Sequence, residues 1–194
     1  MSDHPEIEEM LRDMVFLDVE TSGRLDWKHE VIQIGAVAGG KEFEVKLRFD
    51  TGKAEREALE VNCYDEDAWE EEAVEPAEAV ALFSEFLEEF KFVEKKSKKS
   101  GKPYMVARAA GHNAESFDKG FLLALYRKHD AFFPCEFKIW DTMQLAMWSL
   151  PWAESHRLED LCEYYGIDIG GAHDALADAV ATRRLAWRLM TDEG

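Results

Sequence analysis

The sequence predicts a single α/β domain built on a five-stranded mixed sheet flanked by helices. Three observations predict it. The first fifty residues hold three strand-like runs in meander order, a long helical stretch follows, and short strands then alternate with helices. A meander supplies antiparallel pairs and the later alternation supplies parallel ones, so the sheet is mixed. A length of 194 residues with 46% apolar content suits one core. No repeat or linker divides the chain, so the domain is expected over 1–194, with its core over about 14–190.

Residues 14–20 read as the first strand, with Met14, Val15, Phe16, Leu17 and Val19 built for burial. Residues 31–37 read as the second, and Gly39-Gly40 as a tight turn. Residues 42–49 alternate, placing Phe43, Val45, Leu47 and Phe49 on one face of a third strand. From about 54 to 92 the pattern is helical; Val80, Phe83, Phe86, Leu87 and Phe90 recur at three- and four-residue steps, and Pro76 suits a helix start. Residues 103–109 read as a fourth strand, 114–129 as a helix with Phe117, Phe121, Leu122 and Leu125 inward, and 137–140 as a short fifth strand. Helices are then expected over 142–148, over 158–165 ending at Gly166, and over 174–190 with Ala177, Ala181, Leu185 and Leu189 on one stripe.

The formal net charge is −18, which argues against a general nucleic-acid binder with a broad basic face. The charge is uneven. Residues 55–94 carry fifteen acids against Arg56 and Lys91, and the compact basic run KKSKKSGK follows at 95–102. Such a run reads as a solvated loop, with a phosphate-contacting loop as the alternative. Cys63, Cys135 and Cys162 form no zinc pattern and read as small buried or semi-buried thiols. The polar, acidic start is unlike a signal peptide and no apolar run is long enough to cross a membrane. A soluble, cytoplasmic protein with no membrane partner is expected.

Three acidic motifs stand out. In VFLDVETSG (15–23), Asp18 and Glu20 are two residues apart in a strand and share a face. Taken alone they read as an exposed strand end, because a buried unpaired carboxylate is costly. In GHNAESFDKGF (111–121), Asn113 is placed to cap the following helix, and Asp118 sits beside the apolar Phe117 and Phe121. In GAHDALADAVAT (171–182), His173 and Asp178 would not share a helical face, but a His173 in the preceding loop could fold back towards Asp178. Together Asp18, Glu20, Asp118 and Asp178 lie at strand ends or helix beginnings, which gather at one edge of an α/β sheet. Four carboxylates converge only around cations, and an all-oxygen set favours magnesium or manganese over zinc.

FLDVETSG, GHNAESFD and HDALAD resemble, in order, the three exonuclease motifs of the DEDD superfamily, and the His five residues before the last Asp marks the DEDDh (DnaQ-like) branch. That 3′–5′ exonuclease family includes the proofreading subunit of bacterial DNA polymerase III and ribonuclease T. The resemblance runs from about 14 to 189. ALEVNCYDEDAW (58–69) is similar to the family's helical segment between the first two motifs. Ser22 stands where Thr is frequent, and Gly111 where Ala is frequent.

The resemblance implies an RNase H-like fold and two divalent ions, Mg2+ or Mn2+. Asp18 would bridge both ions, Glu20 and Asp178 would complete one site, and Asp118 would hold the second through water. His173 would be the general base. Thr21 would lie near the terminal nucleotide, and Asn113 and Phe117 would shape the pocket around Asp118. It implies hydrolysis from 3′ ends of single-stranded DNA or RNA, releasing nucleoside 5′-monophosphates by a two-metal mechanism. The motifs do not separate DNA from RNA, nor do they decide between monomer, homodimer and polymerase association. An RNA-specific exoribonuclease and an idle 3′-end-binding module are the alternatives.

Overall fold

The computed structural model describes residues 4–171 and 173–191. Ala172, inside the third motif, and the extreme termini of the expected 1–194 domain lie outside the described residues. The chain opens on α1 (Pro5–Asp13) and lays down the meander β1 (Val15–Thr21), β2 (Val31–Ala38) and β3 (Lys41–Lys46). A 3-10 turn (Thr51–Lys53) leads to α2 (Arg56–Val61), α3 (Glu66–Glu72) and α4 (Pro76–Glu88). A ribbon, β4 (Val93–Lys96) and β5 (Pro103–Val106), precedes β6 (Ala109–Gly111) and α5 (Asp118–Lys128). The chain ends with β7 (Trp140–Asp141), α6 (Thr142–Ser149), α7 (Leu158–Tyr165) and α8 (Ala175–Thr191).

The main sheet has the order β3-β2-β1-β6-β7, antiparallel on the β3-β2-β1 side and parallel across β1-β6-β7. β1 is therefore central, with helices on both faces of the sheet. Its side chains alternate. Val15, Leu17 and Val19 pack into the cluster built with Val80, Phe83 and Leu87 of α4 and Phe121 and Leu122 of α5. Phe16 packs the other way, with Ala179 and Ala186 of α8 and Leu11 of α1. Phe16 and Leu17 are fully buried, and such side chains each stabilise the fold by about 1.5–3 kcal/mol. Asp18 and Glu20 continue the row that Phe16 begins, so the strand aims them at α8.

Several elements differ from expectation, for local reasons. α1 was not expected from its acidic composition; Ile7, Met10 and Leu11 recur at three and four residues and pack beside Trp187 and Met190 of α8. The helical stretch over 54–92 breaks into three helices; Asp65 caps α3 through the Ala68 N–H, and Pro76 starts α4 as expected. The strand over 103–109 divides. Pro103–Val106 pairs with β4 outside the main sheet, and Ala109–Gly111 enters it beside β1. The basic run is thus the end of β4 plus the ribbon's turn rather than a featureless loop. The fifth strand falls at Trp140–Asp141, and the helix over 114–129 begins only at Asp118.

Candidate active site

The site forms where the ends of β1 and β2 meet the starts of α5 and α8. Asp18 pairs in register with Gly35 of β2. A Cβ at Gly35 would fall closer than 3.0 Å to the backbone of Ala175 and Leu176. Only glycine leaves room for the first turn of α8 to lie directly on β2, an isolated strand glycine marking close approach of another backbone. Asp174 fixes that contact. Its Oδ1 accepts the Ala177 N–H at 2.8 Å, capping α8, and its Oδ2 accepts from the buried Gln33 Nε2 at 3.0 Å. Gln33 also donates to Glu44 Oε1 at 2.8 Å, so α8 is tied through β2 to β3.

One turn into α8, Asp178 joins Asp18 and Glu20. One carboxylate oxygen from each of the three lies within 4.8 Å of the others. Asp118, the first residue of α5, is 3% exposed, and its Oδ1 accepts the Val19 N–H at 2.9 Å. It is bound to the β1 backbone between Asp18 and Glu20 and stands outside the three-carboxylate group. Among the described residues, no lysine or arginine is paired with any of the four.

Burial and the repulsion of neighbouring carboxylates raise these acids together. Asp18 is held well above the usual carboxylate range by burial, then by Asp118, Glu20 and Asp178. Glu20 is pushed up to about 7 by burial and by Asp178. Asp178 is pushed up to about 7 by burial, Glu159 and Asp174. Asp118 is raised by burial, against the lowering effect of the backbone N–H bonds it accepts. Three hard oxygen donors within reach of one another, each resisting ionisation, fit a divalent cation.

The other expected residues are placed as follows. His173 lies in the loop before α8, in the left-handed conformation with φ 61°, half-buried; it is not part of the three-carboxylate group. Thr21 is buried, and its hydroxyl donates to the Gly23 carbonyl at 2.8 Å. Phe117 packs against Phe121, with ring centroids 4.9 Å apart. Asn113 does not cap α5. The residue at the helix N-cap is Phe117, whereas Asn113 is left-handed at φ 61° and its N–H bonds Asp141 Oδ1 at 3.0 Å. That turn delays α5 to Asp118.

Supporting residues gave weaker sequence signals. Asp141 accepts from Asn113, Glu115 and Met143 N–H and so joins the second motif to α6. His112 has both ring nitrogens engaged. Nε2 donates to the His156 carbonyl at 2.8 Å, and Nδ1 bonds the Thr142 hydroxyl at 2.9 Å, which also lies 3.3 Å from the Gly111 carbonyl. Burial lowers its pKa, consistent with a neutral ring. Asn62 Nδ2 donates to the Thr21 carbonyl at 3.0 Å, tying the segment after α2 to the end of β1. None of these is marked by local pattern; of the residues that shape the site, Gly35 alone carries a sequence signal, an isolated glycine inside a strand.

Residues 102–186 match the family model described as exonuclease. The chain is 32% identical over 178 residues to the DNA polymerase III PolC-type of Oceanobacillus iheyensis, covering 91% of this chain and 11% of that protein. It is 30% identical over 179 residues to the PolC-type polymerase of Latilactobacillus sakei, covering 90% of this chain and 11% of that protein. The chain thus spans about a tenth of the length of these relatives. Escherichia coli exonuclease I in complex with a dT13 oligonucleotide superposes with a TM-score of 0.72 at 21% identity, over 92% of this chain and 41% of that one. The zinc-bound form of the exonuclease I–ssDNA complex gives 0.68 at 21% identity, over 89% and 39%. Sheet order, motif set and these likenesses define one class of protein, an exonuclease domain on the RNase H-like fold. Over residues 102–186 the chain matches the exonuclease family, over nine-tenths of its length it is similar to a stretch of the PolC-type polymerases, and its three motifs resemble those of the DEDDh, DnaQ-like branch.

Proposed function

We propose that this chain is a metal-dependent 3′–5′ exonuclease, that it works as one domain, and that it hydrolyses single-stranded DNA. The observation that carries the proposal is the convergence of Asp18, Glu20 and Asp178 beside Asp118 with no lysine or arginine among the described residues paired to them. The family match and the polymerase relatives support nuclease chemistry. The DNA complexes of exonuclease I favour DNA over RNA.

Asp18, Glu20 and Asp178 would hold a divalent ion, and Asp118 would serve a second. When bound, Mg2+ or Mn2+ supplies an acidified water and charge stabilisation for a phosphodiester. The chain's own residues do the rest. The buried β1 row fixes the direction of Asp18 and Glu20, and the Gly35 contact fixes that of Asp178. The His173 ring, swung in by its loop, accepts the proton of the attacking water at a ring nitrogen. The water oxygen bonds phosphorus, the P–O3′ bond breaks, the 3′-oxygen of the shortened strand takes a proton from solvent in exchange for the one His173 gives back, and a nucleoside 5′-monophosphate leaves. Phe117 and Asn113 would shape a pocket around Asp118 for the terminal nucleotide. Thr21 contributes shape and backbone rather than a free hydroxyl, because its proton already goes to Gly23.

A panel of 5′-labelled single-stranded DNA, duplex DNA and RNA, with magnesium, manganese or chelator, tests this reading. Stepwise shortening of single-stranded DNA, abolished by chelator, is expected. Faster shortening of RNA would transfer the proposal to an exoribonuclease. Binding of 3′ ends with no product would leave an idle binding module.

A further inference from the structure

We propose that a single strand whose 3′ end occupies the carboxylate site continues along α5 to the β4–β5 ribbon, which grips its phosphates. The inference rests on the exonuclease reading above and adds a second, electrostatic part to the substrate site.

It begins with unused cations. Of the lysines in KKSKKSGK, Lys95 is paired with Glu136 at 2.5 Å. Among the described residues the side chains of Lys96, Lys98, Lys99 and Lys102 have no ion-pair partner, and all four are exposed. Four free ammonium groups within seven residues are exceptional in a chain of net charge −18. Beside them stand two aromatic rings that the core does not use. Tyr104 is 40% exposed and Phe132 65% exposed, packed edge to face with centroids 5.8 Å apart. Both line a cleft of about 780 Å³ shared with Lys98 and Lys99.

The same two rings also line a second cleft, of about 430 Å³, on the flank of α5. That cleft passes Arg127 and Leu123 and reaches Phe137 and Lys119, the residue after Asp118. Phe137 is 73% exposed, with the Lys119 ammonium 4.4 Å from its ring centroid. Asp130 and Glu136 line this cleft too, Glu136 being paired with Lys95 and Arg108, and Lys119 is paired with Glu115; rings and cations thus mark a route from the residue after Asp118, along α5, to the ribbon. α5, at 11 residues, spans about 16 Å of it, several phosphate spacings. Rings offer stacking faces to any base, and lysines neutralise phosphates with release of counterions. The acids of α2 and α3 disfavour a polyanion on that side of the molecule, whereas Glu88, which lines the ribbon cleft, is paired there with Lys91.

The test uses the full chain in an Asp18→Asn background, so that binding is read whether or not the wild type hydrolyses anything. The affinity of a long labelled oligodeoxynucleotide and of a trinucleotide is measured against salt. Lys98→Gln with Lys99→Gln is expected to weaken long-strand binding about tenfold and to lower its log–log salt slope by about 1.4, for two lost contacts. Trinucleotide binding should change far less. Tyr104→Ala should weaken the long strand with little change in slope, as loss of stacking does. Unaltered long-strand affinity and slope in the double variant would overturn the proposal, as would equal losses on both ligands. A changed oligomeric state in the double variant, with strand affinity intact, would instead assign the ribbon to a second copy of the chain.

Discussion

At the scale of the residue, the centre is a set of charges held together against their own repulsion. Glu20 and Asp178 ionise near 7 in the fold, chiefly because of burial, whereas an unfolded chain releases those protons near pH 4. Without metal the native state therefore keeps protons that the unfolded state gives up. The linked contribution to stability falls as pH rises from about 4 to about 7 and is level beyond. A bound cation needs the ionised forms, so its stabilisation grows over the same window. Denaturant titrations at about pH 5 and about pH 8 check this; magnesium should raise the midpoint more at the higher pH, and equal increments would contradict it. His173→Ala should lower turnover by about 10²–10⁴-fold while leaving magnesium stabilisation in place. Loss of both together would make His173 a ligand rather than a base. Asp18, Glu20 and Asp178 were legible because strand period and helix position place a carboxylate from sequence alone. Asp174, Gln33 and Asp141 were not, because each acts through a hydrogen bond to a distant segment that local pattern does not encode.

At the scale of the element, the decisive contact is helix on strand without an intervening side chain. Gly35→Ala would place a Cβ against backbone that has no rotamer with which to yield. Overpacking of that kind costs about 1–3 kcal/mol or more. In a domain of this size each kcal/mol lowers Tm by about 2–4 °C. Because α8 must lift to accommodate it, magnesium stabilisation should weaken as well. Gly40→Ala, which meets nothing within 4 Å, serves as the comparison for strain alone, since its φ of 82° is also unfavourable to alanine. Matching effects of the two variants on metal stabilisation would remove the special role of Gly35. Element type was largely legible here: β1, β2, α4, α7 and α8 follow from apolar period, and Gly166 ends α7 in the left-handed conformation. Boundaries were lost where tertiary contacts override pattern. Asp141 holds the turn that delays α5, and pairing with β4 draws β5 away from the main sheet.

At the scale of the molecule, net charge and proposed function pull in opposite directions. Fifteen acids over 55–94 disfavour a polyanion, and the carboxylate site disfavours it further until cations reverse the local sign. The fold resolves this by segregation: acids lie along α2 to α4, exposed lysines on the ribbon, and the carboxylate cluster where the end of the central strand meets α8. Fold class was readable because three motifs and one strand order converge on it, whereas the ribbon's separate sheet was not, since its pairing partner lies across the basic turn. The measurement that bears most directly on the whole is hydrolysis of 5′-labelled single-stranded DNA with magnesium by the wild type and by Asp18→Asn, each checked for its fold. The wild type should shorten the strand from its 3′ end, releasing nucleoside 5′-monophosphates. The variant should release none while melting at a higher temperature than metal-free wild type near pH 7, because folding no longer has to protonate, or bury the charge of, the Asp18 carboxyl. Equal hydrolysis by the two proteins would contradict the assignment of the carboxylate cluster as the catalytic centre.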